Sequence, residues 1–227
     1  MRIGLSMRTF SADAYVENRD GLAQDWASFL EKLGYIPIFI PNALLKVDEF
    51  LSNLSLDMII LTGGGECPVQ LETATKDIQN NRNFTEKALI EYSVANKTPL
   101  LGVCRGFQFI NTYFGGTLTR GLTGTEKISG NHVATEHKVF FVEQDWSDLI
   151  RASQIQVNSF HDDGILVSQL ASCLDITAVS DEESSLVEGF RHKVLPISGI
   201  QWHPERSDTS LEFDRLLIKK MISRAQN

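Results

Sequence analysis

Short apolar runs alternate with segments of helical periodicity along the first half of this 227-residue chain. Between the runs, apolar residues recur every three or four positions. Parallel strands need crossover connections, which are usually helices. This order therefore predicts an α/β fold with a mostly parallel central sheet. The predicted strands of this half lie at residues 2–6, 35–40, 57–62 and 100–103.

The second half of the chain has a different pattern. Its candidate strands lie at residues 138–142, 155–157, 173–178, 185–190 and 197–201. They alternate apolar and polar residues more than the earlier runs, so we expect some of them to pair antiparallel. The chain has no internal repeat and no linker long enough to divide it. We therefore expect a single domain over residues 1–227.

Two segments lack clear periodicity. Residues 66–82 are polar, and we expect a loop there, followed by a helix at about residues 85–95. Residues 117–137 are rich in Gly, Thr and Ser, which indicates a second loop near the strand ends. Loops at the edge of a sheet often carry binding or catalytic residues.

The charge and the cysteines restrict the setting of this protein. The formal net charge is −8 and no basic cluster is present, which argues against nucleic acid or an anionic membrane as partners. No apolar run is long enough for a spanning helix and no signal-peptide pattern opens the chain, so we expect a cytoplasmic protein. The odd, widely spaced cysteines Cys67, Cys104 and Cys173 favour reduced thiols over a disulfide framework or a zinc site.

Cys104 lies in the stretch GVCRGFQFIN, between an apolar strand and an amphipathic helix. Gly102 and Gly106 leave room for a tight strand-to-helix turn that projects the side chain between them. The unpaired N–H groups at the start of the helix favour the thiolate. A free cysteine is more often a small buried hydrophobe. Here the flanking glycines favour a nucleophile.

A nucleophilic cysteine needs a base, and GIQWHPE, residues 199–205, supplies one. The apolar strand at residues 197–201 would deliver His203 to the same sheet edge as Cys104. Glu205 would fix the tautomer of the His203 ring and support the imidazolium, as in serine triads. The alternative for this tripeptide is a solvated strand end.

An acyl-transfer intermediate also needs preorganised N–H donors for its oxyanion. The glycine triplet that follows the strand at residues 57–62 can supply them without side-chain obstruction. Gly64 or Gly65 is the candidate for one donor, and the amide of Arg105 is the candidate for the second. Most glycine triplets merely make turns.

Together these motifs resemble the class I glutamine amidotransferase-like superfamily. GVCRGFQ is similar to its G-x-C-x-G-x-Q nucleophile motif, LTGGG to its oxyanion strand, and WHPE to its His-x-Glu motif. The runs CRGFQFIN-x-x-FGG-x-L, GNHVATEH and VNSFH resemble the γ-glutamyl hydrolase branch, peptidase C26, which includes γ-glutamyl-γ-aminobutyrate hydrolases. ENRDGLAQDW resembles short members found with surface-polysaccharide genes, one of whose activities is hydrolysis of γ-glutamyl-CDP-amidate.

The resemblance implies a flavodoxin-like, doubly wound sheet with helices on both faces. It also implies hydrolysis of a γ-glutamyl amide in two steps, with a γ-glutamyl thioester on Cys104, His203 and Glu205 as its partners, and no metal or organic cofactor. Gln108 would help to hold the glutamyl moiety, and Ser159, Phe160 and His161 would bind its α-amino and α-carboxylate ends.

The parts of the chain that contact the leaving group are less defined. Asp162 and Asp163 depart from the His and Gln that often follow His161 in the family, which leaves the leaving group open. Arg8 and Arg19 are candidates for contact with an anionic leaving group, and surface charge is the alternative. The histidines His132 and His137 have no further ligands placed to complete a metal site, which favours a substrate-facing loop or plain surface positions for them.

The same motifs allow two further functions. A glutaminase subunit would use the same three catalytic residues to pass ammonia to a synthetase partner. A non-catalytic binding protein on this fold would usually lack one of the three. The expected ligand is a small γ-glutamyl amide, and a homodimer is left open as the assembly.

Overall fold

The computed structural model describes residues 1–13, 15–69, 78–122, 133–180 and 185–225. The first half of the chain forms, in order, β1 (Arg2–Ser6), β2 (Arg8–Ser11), β3 (Asn18–Gly21), α1 (Asp25–Lys32), β4 (Ile36–Ile40), α2 (Val47–Ser52), β5 (Met58–Leu61), α3 (Ile78–Asn96), β6 (Leu100–Val103) and α4 (Arg105–Tyr113). The second half forms β7 (Val133–Phe141), α5 (Gln144–Ile150), β8 (Gln154–Phe160), β9 (Ile165–Leu166), β10 (Leu174–Ser180), β11 (Leu186–His192), β12 (Ile197–Ile200) and α6 (Leu211–Ala225).

The main sheet has the strand order β4-β1-β5-β6-β12-β11-β10-β7-β8, with β9 beside β11. The strands from β4 to β12 in this order are parallel. From β12 to β8 each neighbouring pair is antiparallel, and these strands come from the second half of the chain. The α/β fold class is thereby confirmed, with a parallel part and an antiparallel extension. Strands β2 and β3 form a separate hairpin.

Helices cover both faces of the sheet. Successive strand residues point to opposite sides, and both sides carry apolar side chains that need cover. In β5, Met58 and Ile60 pack into the core beneath α1, α5 and α6, whereas Ile59 and Leu61 pack into the core beneath α2, α3 and α4. All four side chains are fully buried. The continuous apolar run MIIL is therefore the consequence of a central strand that is covered twice.

The α3 helix begins earlier than its sequence predicts. The loop expected at residues 66–82 is wrong for residues 78–82, which are helical. Polar side chains on α3 face the protein interior, among them Arg82, Thr85 and Glu86, each fully buried. An apolar stripe is therefore missing from the start of this helix, which removes the periodic signal. Residues 70–77 lie outside the described residues.

Three further elements differ from expectation. β7 begins at Val133, so part of the predicted loop at residues 117–137 is a strand; residues 123–132 lie outside the described part. The β2–β3 hairpin and α5 carry no apolar periodicity and were not predicted. Among the residues that the structure describes, no helix has the length and apolar character to cross a membrane.

The position of β12 decides where the functional residues meet. β12 pairs parallel with β6, and Gly199 and Ile200 lie opposite Gly102 and Val103. Both strands therefore end at the same edge of the sheet. The segments that follow them, which begin at Cys104 and at residue 201, leave that edge side by side.

Candidate active site

Cys104 occupies the turn between β6 and α4 in a strained backbone conformation. Its φ is 52° and its ψ is −105°, a region that residues with a side chain rarely adopt. A side chain at Gly106 would collide with the carbonyl oxygen of Leu61, and one at Gly102 would lie 2.6 Å from the carbonyl oxygen of Gly106. Glycine at both positions therefore permits the close approach that holds the turn.

The imidazole of His203 contacts both the thiol and a carboxylate. Its Nδ1 lies 2.7 Å from Oε1 of Glu205, which leaves Nε2 as the nitrogen available to the Cys104 sulfur. The thiol and the imidazole form a hydrogen bond. The side chains of His203 and Glu205 are each 1% exposed. This arrangement holds the ring in one orientation between an acid and a thiol.

The side chains of Asn158 and Asp214, which the sequence did not single out, hold the segment that carries His203. Asn158 on β8 bonds to both the N–H and the C=O of His203. The preceding residue, Trp202, donates from Nε1 to Oδ1 of Asp214 at 3.0 Å, and Ser210 donates to Oδ2 at 2.7 Å. Burial raises the pKa of Asp214 to about 7, although these two hydrogen bonds oppose the shift.

The electrostatics of Cys104 and His203 favour a thiolate and an imidazolium. Burial opposes ionisation of Cys104, but the charge of His203, its hydrogen bond and the backbone N–H of Gly64 together lower the pKa of the thiol. Burial likewise disfavours a charged His203, but the Cys104 thiolate and then Glu205 raise the pKa of the imidazole to about 9. The pair can therefore exchange a proton with little cost near neutral pH.

The glycine loop after β5 faces the same sulfur. Gly64 and Gly65 have φ values of 81° and 79°, which glycine tolerates. The amide of Gly64 donates to the Cys104 sulfur. A side chain at Gly63 would lie 3.2 Å from Cβ of Cys104 and would also press on the His203 ring. The glycine triplet therefore allows backbone donors to approach the thiol closely.

A buried charged network lies behind this loop. Arg82 donates to the carbonyl oxygens of Thr62 at 2.6 Å and Gly63 at 3.3 Å, and also to that of Gly64. Its Nε donates to Glu86 at 2.8 Å, and Glu86 also accepts from Arg105. Glu86 and both arginines are buried. The network thus anchors the loop by its carbonyl groups.

The anchoring decides where the loop amides point. In a trans peptide the C=O of one residue and the N–H of the next point in opposite directions. Because Arg82 binds the carbonyl oxygens of Gly63 and Gly64, the N–H groups of Gly64 and Gly65 point away from Arg82, and that of Gly64 reaches the sulfur. Sequence reasoning missed Arg82, although the spacing of Arg82 and Glu86 on a helix was a usable signal.

Cys104 opens into a pocket of about 270 Å³. Gln108 is part of its wall and donates to the carbonyl oxygen of Asp163 at 2.9 Å. His161 binds the same carbonyl through Nδ1 at 3.0 Å. Ser159 is fully buried on β8. The pocket is lined by Arg8, Gly64, Gly65, Cys104, Arg105, Gln108, Phe160, His161, Asp162, Asp163, His203 and Arg206.

The two arginines that were predicted to contact the leaving group have different positions. Arg8, at the start of β2, lies in the pocket wall, and its Nε donates to the carbonyl oxygen of Gly63 at 3.1 Å. The structure does not place Arg19 in that wall. Its guanidinium is held on the hairpin by Glu17 and by the hydroxyl of Tyr15, each at 2.6 Å. The hydrogen-bond geometry therefore favours Arg8 alone.

Cys67, Cys173 and His137 are not among the residues that line the pocket of Cys104. Burial raises the pKa of Cys67 to about 12, so this thiol stays protonated. His137 lies 3.4 Å from the buried carboxylate of Glu188, whereas His132 lies outside the described residues. In the described ranges, no three His, Cys, Asp or Glu side chains form a group that could hold a metal ion.

Several known proteins are similar to this chain over most of its length. It is 29% identical over 209 residues to a γ-glutamyl-CDP-amidate hydrolase of Campylobacter jejuni, with 92% of each chain covered. It is 27% identical over 215 residues to anthranilate synthase component 2 of Thermococcus kodakarensis, covering 93% of this chain and 97% of that protein. Its sequence thus has relatives among both hydrolases and synthase subunits.

Solved structures share the fold at lower identity. The glutaminase domain of Trypanosoma brucei CTPS has a TM-score of 0.68 at 16% identity and covers 99% of this chain and 93% of its own. A glutamine amidotransferase of Thermotoga maritima has a TM-score of 0.64 at 15% identity, with 97% of each chain covered. The family model of peptidase C26 matches residues 3–205, a range that includes Cys104, His203 and Glu205. This chain is therefore a member of the peptidase C26 family, with the fold of the glutamine amidotransferases.

Proposed function

We propose that this protein hydrolyses γ-glutamyl amides to glutamate and an amine, with Cys104 as the nucleophile. The observation that supports this most directly is the hydrogen-bonded series of thiol, imidazole and carboxylate at the floor of the pocket. A thiolate with an adjacent imidazolium can attack a carbonyl carbon and then protonate the departing nitrogen.

The reaction takes two steps. The Cys104 thiolate forms a bond to the γ-carbonyl carbon, and the amide N–H groups of Gly64, Gly65 and Arg105 stabilise the oxyanion. His203 gives its proton to the amine, the C–N bond breaks, and a γ-glutamyl thioester remains. Water, deprotonated by His203, then attacks the thioester and releases glutamate. Glu205 holds the imidazole and supports its charge throughout.

The roles of the pocket wall follow from its contacts. Gln108 and His161 line the same pocket as Cys104, where they would hold the glutamyl moiety. Ser159 is fully buried and is not among the residues that line the pocket, so it would support the wall and not contact the glutamyl moiety directly. The finer candidate for the substrate is γ-glutamyl-CDP-amidate, by similarity to the Campylobacter jejuni relative.

The test is glutamate release by the purified protein. We expect release from a γ-glutamyl anilide, with the Cys104→Ser variant losing at least about 10³-fold in kcat because the nucleophile is removed. A folded wild-type protein that releases no glutamate from any γ-glutamyl amide would contradict the proposal. If Cys104→Ala left the rate of glutamate release unchanged, the thiol would play no part in the reaction, and this result too would contradict the proposal.

A glutaminase subunit is the second candidate, favoured by the similarity to anthranilate synthase component 2. Such a subunit is nearly idle without its synthetase partner. Turnover of γ-glutamyl anilide by the isolated chain, and weaker turnover of glutamine, would favour the hydrolase. Activity that appears only after addition of a partner protein would favour the subunit. For the hydrolase we propose a cytoplasmic protein that acts without a synthetase, as a monomer or a homodimer.

A further inference from the structure

Two guanidinium groups from distant parts of the chain flank the pocket of Cys104. Arg8 reaches it from β2 and packs against the backbone of Gly64. Arg206 follows the Glu205 turn, and its guanidinium lies 4.5 Å from the centre of the Phe160 ring. That ring stands edge-on to the imidazole of His203, with 5.8 Å between the ring centres. Both positive charges are therefore held near the nucleophile.

Within the described residues, neither of these arginines forms a short salt bridge with a carboxylate. No acidic side chain among the described residues forms a salt bridge with Arg8, whose Nε binds a carbonyl oxygen instead. Arg206 has one such contact, at 3.7 Å from Oε1 of Glu205. That oxygen is already bonded to His203 at 2.7 Å. By contrast, Asp163 in the same wall is paired with Arg120 at 3.1 Å.

The two charges also act on each other. Burial first, and then the positive charge of Arg206, lower the pKa of Arg8, while the negative charges of the Cys104 thiolate and Glu205 oppose the shift only in part. Like charges that face one pocket repel, and an anion between them would remove that cost. The chain as a whole carries a net charge of −8, so two positive charges at one pocket differ from its overall charge.

The charge of the substrate decides what this pair binds. Under the proposed function, the glutamyl moiety brings one α-ammonium and one α-carboxylate, which cancel. One arginine suffices for the carboxylate, which leaves the second arginine without a partner in the glutamyl moiety. The second arginine then requires negative charge from the other side of the scissile bond, which is the leaving group.

We propose that Arg206, together with Arg8, binds a phosphoryl group that the amine leaving group carries close to the scissile nitrogen. This inference rests on the proposed γ-glutamyl hydrolysis and names its substrate class. A phosphoryl group carries more than one negative charge and accepts the forked hydrogen bonds of guanidinium groups. Because Arg8 packs on Gly64 beside the sulfur, the phosphoryl group lies next to the bond that breaks.

The experiment compares two γ-glutamyl anilides that share a ring. One has ortho-aminophenyl phosphate as its leaving group, which places the phosphoryl group beside the scissile nitrogen, and the other has ortho-methoxyaniline. For the wild-type protein we expect kcat/KM to be about tenfold or more higher for the phosphorylated anilide, the gain of a charge-assisted contact. The Arg206→Gln variant should lose more kcat/KM on the phosphorylated anilide than on the methoxy anilide, so that the ratio of the two values falls about tenfold, toward one. Arg206→Lys should keep part of the preference. The matched control, Arg215→Gln, changes an exposed arginine on α6 and should behave as wild type.

Three results would overturn the inference. The first is a wild-type protein without preference for the phosphorylated anilide. The second is an Arg206→Gln variant with equal losses on both anilides, which would assign Arg206 to the glutamyl carboxylate. The third is a wild-type protein whose cleavage of the methoxy anilide is not competitively inhibited by inorganic pyrophosphate at constant ionic strength; this result remains informative if the variant does not fold. Failure of the proposed function itself looks different, because neither anilide would release glutamate.

Discussion

The side chain of Asn158 brackets the backbone of His203. Its Nδ2 donates to the carbonyl oxygen of His203 at 2.7 Å, and its Oδ1 accepts from the backbone N–H at 2.9 Å. Asn158 lies on β8, and His203 follows β12, so the contact joins the two ends of the antiparallel part of the sheet. It fixes the backbone from which the imidazole reaches the sulfur.

Replacement of Asn158 by alanine should disturb the site through this bracket. Both polar groups of the His203 backbone would be left buried without these partners, at a cost of about 1–3 kcal/mol in the free energy of unfolding. A displaced imidazole should lower kcat about tenfold or more. Urea denaturation and glutamate release measure the two effects. Gln156→Ala, two residues earlier on β8, is the control. A folded Asn158→Ala protein with wild-type kcat would contradict this role.

The pH dependence of activity should have two limbs with separate causes. On the acid side kcat/KM should rise as Cys104 loses its proton, below the usual range of a thiol because its pKa is lowered. On the alkaline side it should fall near pH 9, where His203 loses the proton that the leaving amine needs. A profile from about pH 5 to about pH 10, measured with a γ-glutamyl anilide, checks both limbs.

Alkylation by iodoacetamide separates the two groups, because it requires the thiolate alone. Its rate should show the acid limb and no fall above pH 9. Glu205→Gln keeps an acceptor for Nδ1 but removes the negative charge that raises the pKa of His203. The alkaline limb of that variant should move to lower pH. An alkaline limb near 6.5, the ordinary value for histidine, in the wild-type protein would refute the ion pair.

Arg82→Met should lower kcat with little change in KM. The variant loses the donors that hold the carbonyl oxygens of Gly63 and Gly64, so the opposite N–H groups lose their orientation toward the oxyanion. Loss of one oxyanion donor typically costs about 10²-fold in kcat. The alkylation rate of Cys104 should stay near wild type, which separates this effect from general damage to the site. Arg82→Lys should recover part of kcat.

The control for Arg82 is Lys87→Met, which changes an exposed cation on the same helix. Removal of one partner from a buried ionic network costs about 3–5 kcal/mol, so Arg82→Met should also unfold at lower urea concentration than the control. A folded Arg82→Met protein with kcat within about twofold of wild type would exclude the anchoring role.

The stability of the protein should fall as pH rises from about 4 to about 7 because of Asp214. Burial raises the pKa of this carboxyl from 3.8 to about 7, so in that window the folded state retains a proton that the unfolded state has released. Asp214→Asn keeps an oxygen for Trp202 and cannot ionise. Relative to wild type, the variant should gain stability at pH 8 compared with pH 5, as measured by urea midpoints. The role of Asp214 would be contradicted if the variant and wild type differed in urea midpoint by the same amount at both pH values. The same trend in the exposed control Asp208→Asn would also contradict it.

The sequence predicted the parts of the site that rest on local spacing. The glycines beside Cys104 and the His-Pro-Glu segment identify a turn and a base, and parallel pairing of β6 with β12 brings the two together. Each of these features consists of a few neighbouring residues at the end of a single strand. The parallel pairing of the strands in the first half followed from the same alternation of strands and helices.

What the sequence did not reveal depends on partners that are distant along the chain. Glu86 accepts from Ser6, which is 80 positions away, and Asn158 binds a residue 45 positions away. Such contacts leave no periodic trace. Because the buried face of α3 is polar near its start, the apolar periodicity that would have predicted the start of the helix is absent. The hairpin that carries Arg8 pairs residues that are close in the chain, but its strands have no apolar alternation that would have predicted them.

The insertion of β12 between β6 and β11 has a consequence for biosynthesis. The nucleophile belongs to the first half of the chain, whereas the imidazole that ionises it arrives with the last strand of the sheet. While the chain is still emerging from the ribosome, residue 104 can be present without its proton acceptor, and its sulfur is then an ordinary, weakly reactive thiol. Chemical competence is thereby tied to completion of the sheet, so a nascent or truncated chain does not expose an activated sulfur to the cell.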